Sequence, residues 1–558
     1  PQASTPKDKD AALLDPLFPP KDKDTRQTDK AKADPEELLV VQLVPLDKEQ
    51  RRILAKAFGI QDPELFVREI EKNGLDELAG RPGDMLDLAE YWKDHRHFGS
   101  LVEMVEYAIT RKLEERDKYR PDNEALSPQK ARQGAERLAA ALTLGKSFTL
   151  LASGHEPDPT LATRAMDPAE LLPHWTDAER GALLRRGIFA PSTYGRIRFH
   201  HRNTQEYLTA RWLHGLLKKG CPREQVWNLI LAERYGVETL VLSLCPTAAW
   251  LALWHPELRD EIIRREPLVL LQNGDPGSLP LVAKENLLRR YAEQDKVGEI
   301  GNDHVDHRAL WLFADPSLAD AIRACWETND RRDFQITLLG IVREGKIRDC
   351  VDLARDTVFD ETGHVYLRIV ALDAMNACDD AEGLTAVARW LVDTTDSVEV
   401  RLVSYFTKVL YPRHLTVDQL LDLLDRYPLT EEDSFISISE TLVECWDAST
   451  ESDRERLMAG LAELCLAPPL VADHYPVSAQ HYTLAKKLKP LGVKAVSALT
   501  DAEPSAGLIR LLMLIERAES DGCARDEGTS LSDLVSRNPR LNRALMWADV
   551  AAARLEGV

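Results

Sequence analysis

The sequence is poor in cysteine and has no excess of positive charge. Eight cysteines stand among 558 residues, and no two have the Cys-x-x-Cys spacing of zinc and redox sites. Cysteines within apolar helical stretches are typical of reduced core thiols in a cytoplasmic protein. The formal net charge of −21 excludes a nucleic-acid-binding footprint over the whole chain and favours a protein partner.

Long hydrophobic runs are also missing. The nearest candidate, 239–254, is shorter than the roughly 20 apolar residues of a membrane span and has Pro246 in its middle. We therefore predict a buried helical layer there and no membrane association. With 44% hydrophobic and 29% charged residues, the chain is globular and too long for one core. Domains of about 100 to 200 residues predict three or four units.

A nucleotide-hydrolysing site is absent from the sequence as well. Gly145-Lys146-Ser147 resembles the end of a P-loop, but Ala140 stands where the first P-loop glycine is required. A P-loop also follows a buried strand, whereas 136–144 has the Ala/Leu pattern of a helix. With neither a Walker A nor a Walker B site, we predict no catalytic residue in this chain and no ATP hydrolysis by the chain alone.

Metal-ligating and nucleophilic residues form few clusters. Asp303-His304-Val305-Asp306-His307 places two imidazoles and two carboxylates close together, but no further ligand group accompanies them. A solvated helix start is the favoured interpretation, so we predict no metal site. No Ser/His/Asp or Cys/His arrangement can be defended from spacing alone.

The N-terminal part changes character near residue 37. Residues 1–37 contain Pro-Lys-Asp-Lys-Asp twice, and such alternating charge with proline predicts a flexible linker or insertion. Residues 38–44 are β-branched and predict a strand. Asp47 and Gln50 predict a capping box that starts a helix, followed by helices over 63–73 and from about residue 83. A further helix over 101–119 completes a helical domain over 38–118.

The segment from Arg198 to Ala210 is the most informative stretch. It reads Arg-Phe-His-His-Arg-Asn-Thr-Gln-Glu-Tyr-Leu-Thr-Ala and resembles the end of the winged-helix domain of NACHT-type STAND NTPases. These signal-transducing ATPases include NOD-like receptors and Avs-like antiphage defence proteins. The pattern is aromatic, His, basic, small polar, any residue, then Gln-Glu-aromatic. Thr204 departs from it, because an aromatic residue often precedes the glutamine.

Two further segments carry the same resemblance. One of them is similar to the helical domain that follows the NACHT nucleotide-binding core. It consists of the strand exit Leu43-x-Pro45-Leu46, then Phe58-Gly59, then Leu75-x-x-Leu78-Ala79-x-Arg81-Pro82. The resemblance implies that Pro82 lies beside an adenine, although Gly83-Asp84 replaces the usual apolar residues after the proline. As a residue alone, Pro82 also suits the first position of a helix.

The third segment predicts a winged-helix domain over 119–219. Predicted helices are followed by a turn over 190–195 and a strand over 196–200. This is the order of a winged helix, in which a β-wing follows the helices. Winged helices also bind DNA, for which Arg185, Arg186, Arg196 and Arg198 would supply cations. That function stays as a minor alternative beside a protein-binding role.

Residues 220–558 predict pairs of helices. Four pairs within 334–466 start about 30 to 37 residues apart, with apolar residues on both sides of each first helix, as stacked repeats require. We predict a mainly α chain: a helical domain, a winged-helix domain and a HEAT-like α-solenoid. A TPR-like solenoid is the alternative, although the tyrosine and glycine positions of the TPR consensus do not recur.

The resemblance implies one binding site. In relatives, a winged-helix histidine contacts the β-phosphate of bound ADP and holds the closed state. The matching residue is His201, with His200 as the alternative in neighbouring register and Pro82 beside the adenine. ADP or ATP with Mg²⁺ is implied only together with an upstream nucleotide-binding domain, and no cofactor is intrinsic to this chain. By the residues alone, a histidine bonded to backbone at a strand end is equally compatible.

The resemblance also implies a role in bacterial antiphage immunity. The helical repeats would recognise a foreign protein such as a bacteriophage component. Binding would release the ADP-locked state, so that protomers assemble as a homo-oligomer and activate an effector. The expected protein is cytoplasmic, and this part binds no nucleic acid. The alternative function is a stand-alone α-solenoid scaffold for protein interaction without any nucleotide.

Overall fold

The computed structural model of the chain is mainly α, as the sequence predicts. It describes residues 2–3, 41–42, 44–114, 126–152, 165–193, 195–234, 236–298, 305–395, 397–430, 438–471, 477–499, 503–519 and 531–556. The predicted linker over 1–37 therefore lies outside the described residues, apart from a two-residue strand. None of the helices in these ranges is long and apolar enough to cross a membrane.

The chain divides into two compact units. Unit 1 comprises Pro1–Glu261 with Asn273–Ser278, and unit 2 comprises Ile262–Gln272 with Leu279–Val558. Unit 1 joins the two segments predicted as a helical domain and a winged-helix domain, together with the residues that follow them up to Glu261. Both units bury aliphatic and aromatic side chains that recur at helical spacing.

Among the described residues before 266, the helices are α1 (Lys48–Ala57), α2 (Pro63–Lys72), α3 (Asp76–Ala79), α4 (Pro82–His95), α5 (Leu101–Leu113), α6 (Pro128–Leu144), α7 (Pro168–Leu171), α8 (Asp177–Leu184), α9 (Arg202–Lys218), α10 (Arg223–Ile230), α11 (Cys245–Ala252) and α12 (Pro256–Arg265). The strands are β1 (Gln2–Ala3), β2 (Val41–Gln42), β3 (Leu150–Leu151), β4 (Phe189–Ser192), β5 (Arg196–Phe199), β6 (Leu231–Arg234) and β7 (Val237–Leu240).

Local capping signals start several of these helices. Asp47 and Gln50 form the predicted capping box of α1, and Thr176 forms one with Glu179 at α8. These reciprocal bonds satisfy amides that the first turn leaves without helical partners. In α1, Ala55 is buried and Ile53 is 60% exposed.

Unit 1 contains a three-stranded antiparallel sheet. Its strand order is β3-β5-β4, with Phe189 opposite Phe199 and Leu150 opposite Ile197. The β4–β5 hairpin lies where the sequence predicts a β-wing. The predicted turn over 190–195 was too long, because residues up to Ser192 continue β4 and pair with β5.

The prediction of a helical layer over 239–254 was wrong in its first half. Its first two residues, Thr239 and Leu240, are the end of β7, which pairs with β6 in an antiparallel hairpin, and Leu242 after the hairpin is 86% exposed. Helix α11 begins only at Cys245, so Pro246 occupies the first turn, where a proline costs no hydrogen bond. The prediction failed because the segment is apolar throughout, so its composition does not show where the strand ends and the helix begins.

Unit 2 contains helices α13 (Pro267–Gln272), α14 (Leu281–Lys296), α15 (His307–Phe313), α16 (Ala319–Thr328), α17 (Arg332–Gly345), α18 (Val351–Phe359), α19 (Val365–Ala377), α20 (Ala381–Asp393), α21 (Val400–Leu410), α22 (Val417–Arg426), α23 (Ile438–Ala448), α24 (Glu451–Cys465), α25 (Tyr482–Lys486), α26 (Lys489–Ala498), α27 (Ala506–Glu519), α28 (Leu531–Ser536) and α29 (Pro539–Glu556). Strands β8 (Leu470–Val471) and β9 (Val477–Ser478) form a short hairpin.

Alternate helices of unit 2 form a continuous row. Helices α13, α15, α17, α19, α21 and α23 contact one another in succession. Polar side chains connect the row as well: the Tyr405 hydroxyl donates to the Asp373 carboxylate at 2.8 Å, and Lys408 pairs with Glu444 at 3.0 Å. Burial raises the pKa of the Asp373 carboxyl. The helix pairs predicted over 334–466 all lie in this part of the chain.

The cysteines of the described residues form no disulfide bonds. Six are buried, and Cys221 is half-buried. Burial raises the pKa of Cys325, Cys350 and Cys378 to about 11, so these thiols remain protonated and unreactive at neutral pH. Cys523 lies outside the described residues.

Candidate functional site

The predicted histidines lie where β5 passes into α9. The backbone amide of His200 donates to the carbonyl of Ile188 at 2.9 Å, which holds the end of the hairpin. His201 then takes the position before α9 in an extended conformation, without a capping bond from its side chain. Its imidazole is therefore available for other partners. Its Nε2 lies 3.2 Å from Oδ1 of Asp84 in the first turn of α4.

The structure brings all three predicted site residues together. Pro82 is the first residue of α4 and is exposed. A Cβ placed on Gly83 would lie 3.9 Å from Nε2 of His200, so the start of α4 adjoins the end of β5. His200 is exposed, whereas His201 is half-buried behind it. Residues far apart in sequence thus share one surface of unit 1.

The two imidazoles stack on one another. Their ring centroids are 4.3 Å apart with planes inclined by 23°. Burial lowers the pKa of His201, and the positive charge of Lys112 lowers it further, while Asp84 and Asp87 act in the opposite direction. His201 is consequently neutral at pH 7. The exposed ring of His200 is the one that solvent or another molecule can reach.

Three further charged residues lie on this surface, and they were not predicted as site residues from the sequence. Asp84 and Asp87 stand three residues apart in α4 and therefore project from the same side of the helix. Nζ of Lys112, from α5, lies 2.5 Å from Oδ2 of Asp87. The i, i+3 spacing of the carboxylates was visible in the sequence. Their position beside His201 was not, because it depends on how α4 packs near α9.

A half-buried polar network connects α9 with α5 and α6. The Glu106 carboxylate pairs with Arg132 at 2.7 Å and with Arg211 at 3.5 Å, and it accepts a hydrogen bond from the hydroxyl of Tyr207. Burial acts to raise the pKa of Glu106, but the bonds and charge of Arg132 and the bond from Tyr207 hold it below its ordinary value. Glu106 is therefore ionised at neutral pH, and its charge is compensated by neighbours on two helices.

The segment Gly145-Lys146-Ser147 follows α6 directly. The amide of Gly145 donates to the carbonyl of Ala141 as the helix ends. A helix thus precedes this segment, as predicted, where a P-loop would require a strand. In the tail, Asp303-His304 lies outside the described residues, and Nδ1 of the exposed His307 lies 3.1 Å from Glu344.

A pair of neutral histidines lies near the C-terminal end of α9. Nδ1 of His214 lies 2.9 Å from Nε2 of His255, and the ring of Trp254 adjoins His214. Burial lowers the pKa of His214 to about 4, and the charge of Lys218 contributes. Burial also lowers the pKa of His255. Both rings are uncharged in the folded chain at pH 7.

We expect unit 1 to lose stability in mild acid because of this pair. The folded pKa of His214 lies below its ordinary value of 6.5, so the unfolded state binds more protons as the pH falls. The stabilising contribution is complete above pH 6.5 and is lost towards about pH 4. Allowing for partial exposure, we expect a loss of about 1 kcal/mol between pH 7.5 and pH 5.

Urea unfolding at the two pH values, with hydrogen exchange followed in α9, measures this loss. His214→Gln should remove at least half of the pH dependence, because glutamine can still bond to His255 but does not titrate. His174→Gln is the matched control, since His174 is exposed in the same unit. An unchanged pH dependence in the His214 variant would show that other groups cause it.

Comparison with known proteins adds no family assignment. No protein-family model matches the chain, and no curated protein matches it.

Proposed function

We propose that this chain is the regulatory and sensor half of a NACHT-type STAND NTPase that acts in bacterial antiphage immunity. The supporting observation is that Pro82, His200 and His201, which the resemblance implies from two separate motifs, share one surface of unit 1. An upstream nucleotide-binding domain would dock on this surface. ADP or ATP with Mg²⁺ would belong to that domain, and this chain would contribute contacts without hydrolysing the nucleotide.

The two histidines would have different roles in that contact. The resemblance names His201 first, but its Nε2 faces Asp84 at 3.2 Å. We therefore assign the phosphate contact to the exposed His200, whose imidazole can donate a charge-assisted hydrogen bond to the β-phosphate of ADP. His201 is a positioning residue, since its ring stacks on that of His200. Pro82 would offer an apolar surface to the adenine.

The row of alternate helices in unit 2 would be the sensor. We propose that it is a HEAT-like solenoid, in which each repeat contacts its neighbours and the stack presents an extended binding surface. The ligand would be a foreign protein such as a bacteriophage component. Its binding shifts the equilibrium only if it binds the open state more tightly than the closed, ADP-bound state. Open protomers would then form a homo-oligomer in the cytoplasm.

The DNA-binding alternative has less support from the described residues. Arg186, one of the four arginines that would contact phosphates, is only 5% exposed. Phosphate contacts require accessible cations along one face. A stand-alone scaffold remains the competing function, and the following experiment separates it from the proposal.

We expect histidine variants to release ADP faster. The native gene product is purified with any residues that precede or follow this chain, and release of fluorescent ADP is measured by stopped flow. His200→Gln removes a charge-assisted hydrogen bond of about 1.5 to 3 kcal/mol, so release should accelerate about tenfold to a hundredfold. His201→Gln, which disturbs only the positioning, should have a smaller effect.

His174→Gln, at an exposed histidine elsewhere in unit 1, is the control and should release ADP at the wild-type rate. A gene product that has no P-loop and holds no ADP would refute the proposal and favour the scaffold. Wild-type release rates in both the His200 and His201 variants would refute the assigned contact. Binding to DNA that weakens with salt would instead support the winged helix as a nucleic-acid module.

A further inference from the structure

Three metal-ligating side chains converge beneath the exposed face of His200. Asp84 and Asp87 come from α4, and His201 comes from the residue before α9. One ligand atom from each of the three lies within 4.8 Å of the other two. The set combines an imidazole nitrogen with two carboxylate oxygens, drawn from segments that tertiary packing places together.

The imidazole of His201 provides the second observation. Its Nε2 is enclosed by protein and has no hydrogen-bond partner, although Oδ1 of Asp84 is 3.2 Å away. The ring nitrogen and the oxygen are thus close without being aligned for a direct bond. An enclosed ring nitrogen without a partner is destabilising. A cation placed between the two atoms would bind both.

The distance between Nε2 of His201 and Oδ1 of Asp84 also fits two ligands of one ion. With bonds of about 2.0 to 2.1 Å to zinc, neighbouring ligand atoms of a tetrahedral site lie about 3.3 to 3.4 Å apart. Nε2 of His201 and Oδ1 of Asp84 are 3.2 Å apart. One imidazole with carboxylates favours zinc over magnesium or calcium, which prefer oxygen ligands alone. A fourth position would remain for water or an anion.

We infer that Asp84, Asp87 and His201 form a binding site for a divalent transition-metal ion of the zinc type. The ammonium of Lys112, 2.5 Å from Oδ2 of Asp87, is the internal cation that balances the carboxylates when no metal is bound. The metal competes with Lys112 for Asp87. Binding joins α4 to the start of α9. The site shares His201 with the proposed function, but it requires neither a nucleotide nor an activating ligand.

Calorimetric titration of the purified chain with Zn²⁺ alone tests the site. Cys221 and Cys523 are replaced by serine in all samples, so that neither thiol contributes. We expect one ion per chain with micromolar affinity. His201→Gln and Asp84→Asn should each weaken binding by about a hundredfold, while His174→Gln should bind as the parent does. Lys112→Met, which removes the competing ammonium and keeps all three ligands, should tighten binding about tenfold.

Thermal unfolding with and without Zn²⁺ provides a second measurement. The ion should raise the melting temperature of the parent and of the Lys112 variant, because it binds the folded state alone. Circular dichroism checks that each variant is folded. The inference is overturned if the parent does not bind Zn²⁺ at about 100 μM, or if the folded His201 and Asp84 variants bind it as tightly as the parent. It is also overturned if Lys112→Met weakens binding.

Discussion

Replacing Glu106 by alanine should lower the free energy of unfolding of unit 1 by about 2 to 3 kcal/mol. The carboxylate is the common partner of Arg132, Arg211 and the Tyr207 hydroxyl. Its removal leaves two guanidinium groups in a partly desolvated site and takes the acceptor from a buried phenol. Removing one member of such a group costs more than the group contributes as a whole, because the remaining charges lose their compensation.

Hydrogen exchange under increasing urea should detect this change in α5, α6 and α9. Glu71→Ala is the control, because Glu71 forms an exposed ion pair with Lys48 at 2.7 Å in the same unit. An exposed pair contributes about 0 to 1 kcal/mol, so that variant should unfold like the wild type. A loss below about 1 kcal/mol for Glu106→Ala would mean that the network carries little of the stability of unit 1.

Replacing Phe334 by alanine should destabilise unit 2 by about 3 to 5 kcal/mol. Phe334, in α17, is fully buried, and its ring packs edge-on against Tyr291 of α14 with centroids 4.9 Å apart. Truncation removes the apolar surface of the ring and leaves a cavity that helices on both sides can fill only in part. The effect should be largest in the helices that surround the ring.

The same exchange measurement, followed in α14 and α17, tests this prediction. Tyr366→Ala is the control, since Tyr366 is 50% exposed at the start of α19, and its loss should change stability by less than about 0.5 kcal/mol. Equal protection of α14 and α17 in the Phe334 variant and the wild type would contradict the packing described for this region.

Helix starts were predictable because their signals are local. Each of the capping boxes at Asp47 and Thr176 joins the residue before the helix to the residue three positions later. No residue distant in sequence is needed to form them. Most helix pairs over 334–466 were predictable for the same reason. The β6–β7 hairpin was missed because an apolar segment around Leu240 fits a strand and a buried helix equally well.

The candidate site was only partly predictable. Pro82, His200 and His201 came from resemblance to a family, and their convergence in unit 1 could not be read from spacing. In the sequence, Asp84 was noted only because it replaces an apolar residue that the family usually has after the proline. Its proximity to His201 emerged only from the packed helices.

By itself, the amino-acid sequence determined the mainly helical character of the chain, the helix starts and the lack of a P-loop, since each depends on residues within about a turn of one another. Tertiary structure alone decided which side chains meet: the two stacked imidazoles with Asp84, Asp87 and Lys112, and the group around Glu106. Such contacts join distant segments, and their geometry follows from how buried apolar faces pack, which no local pattern specifies.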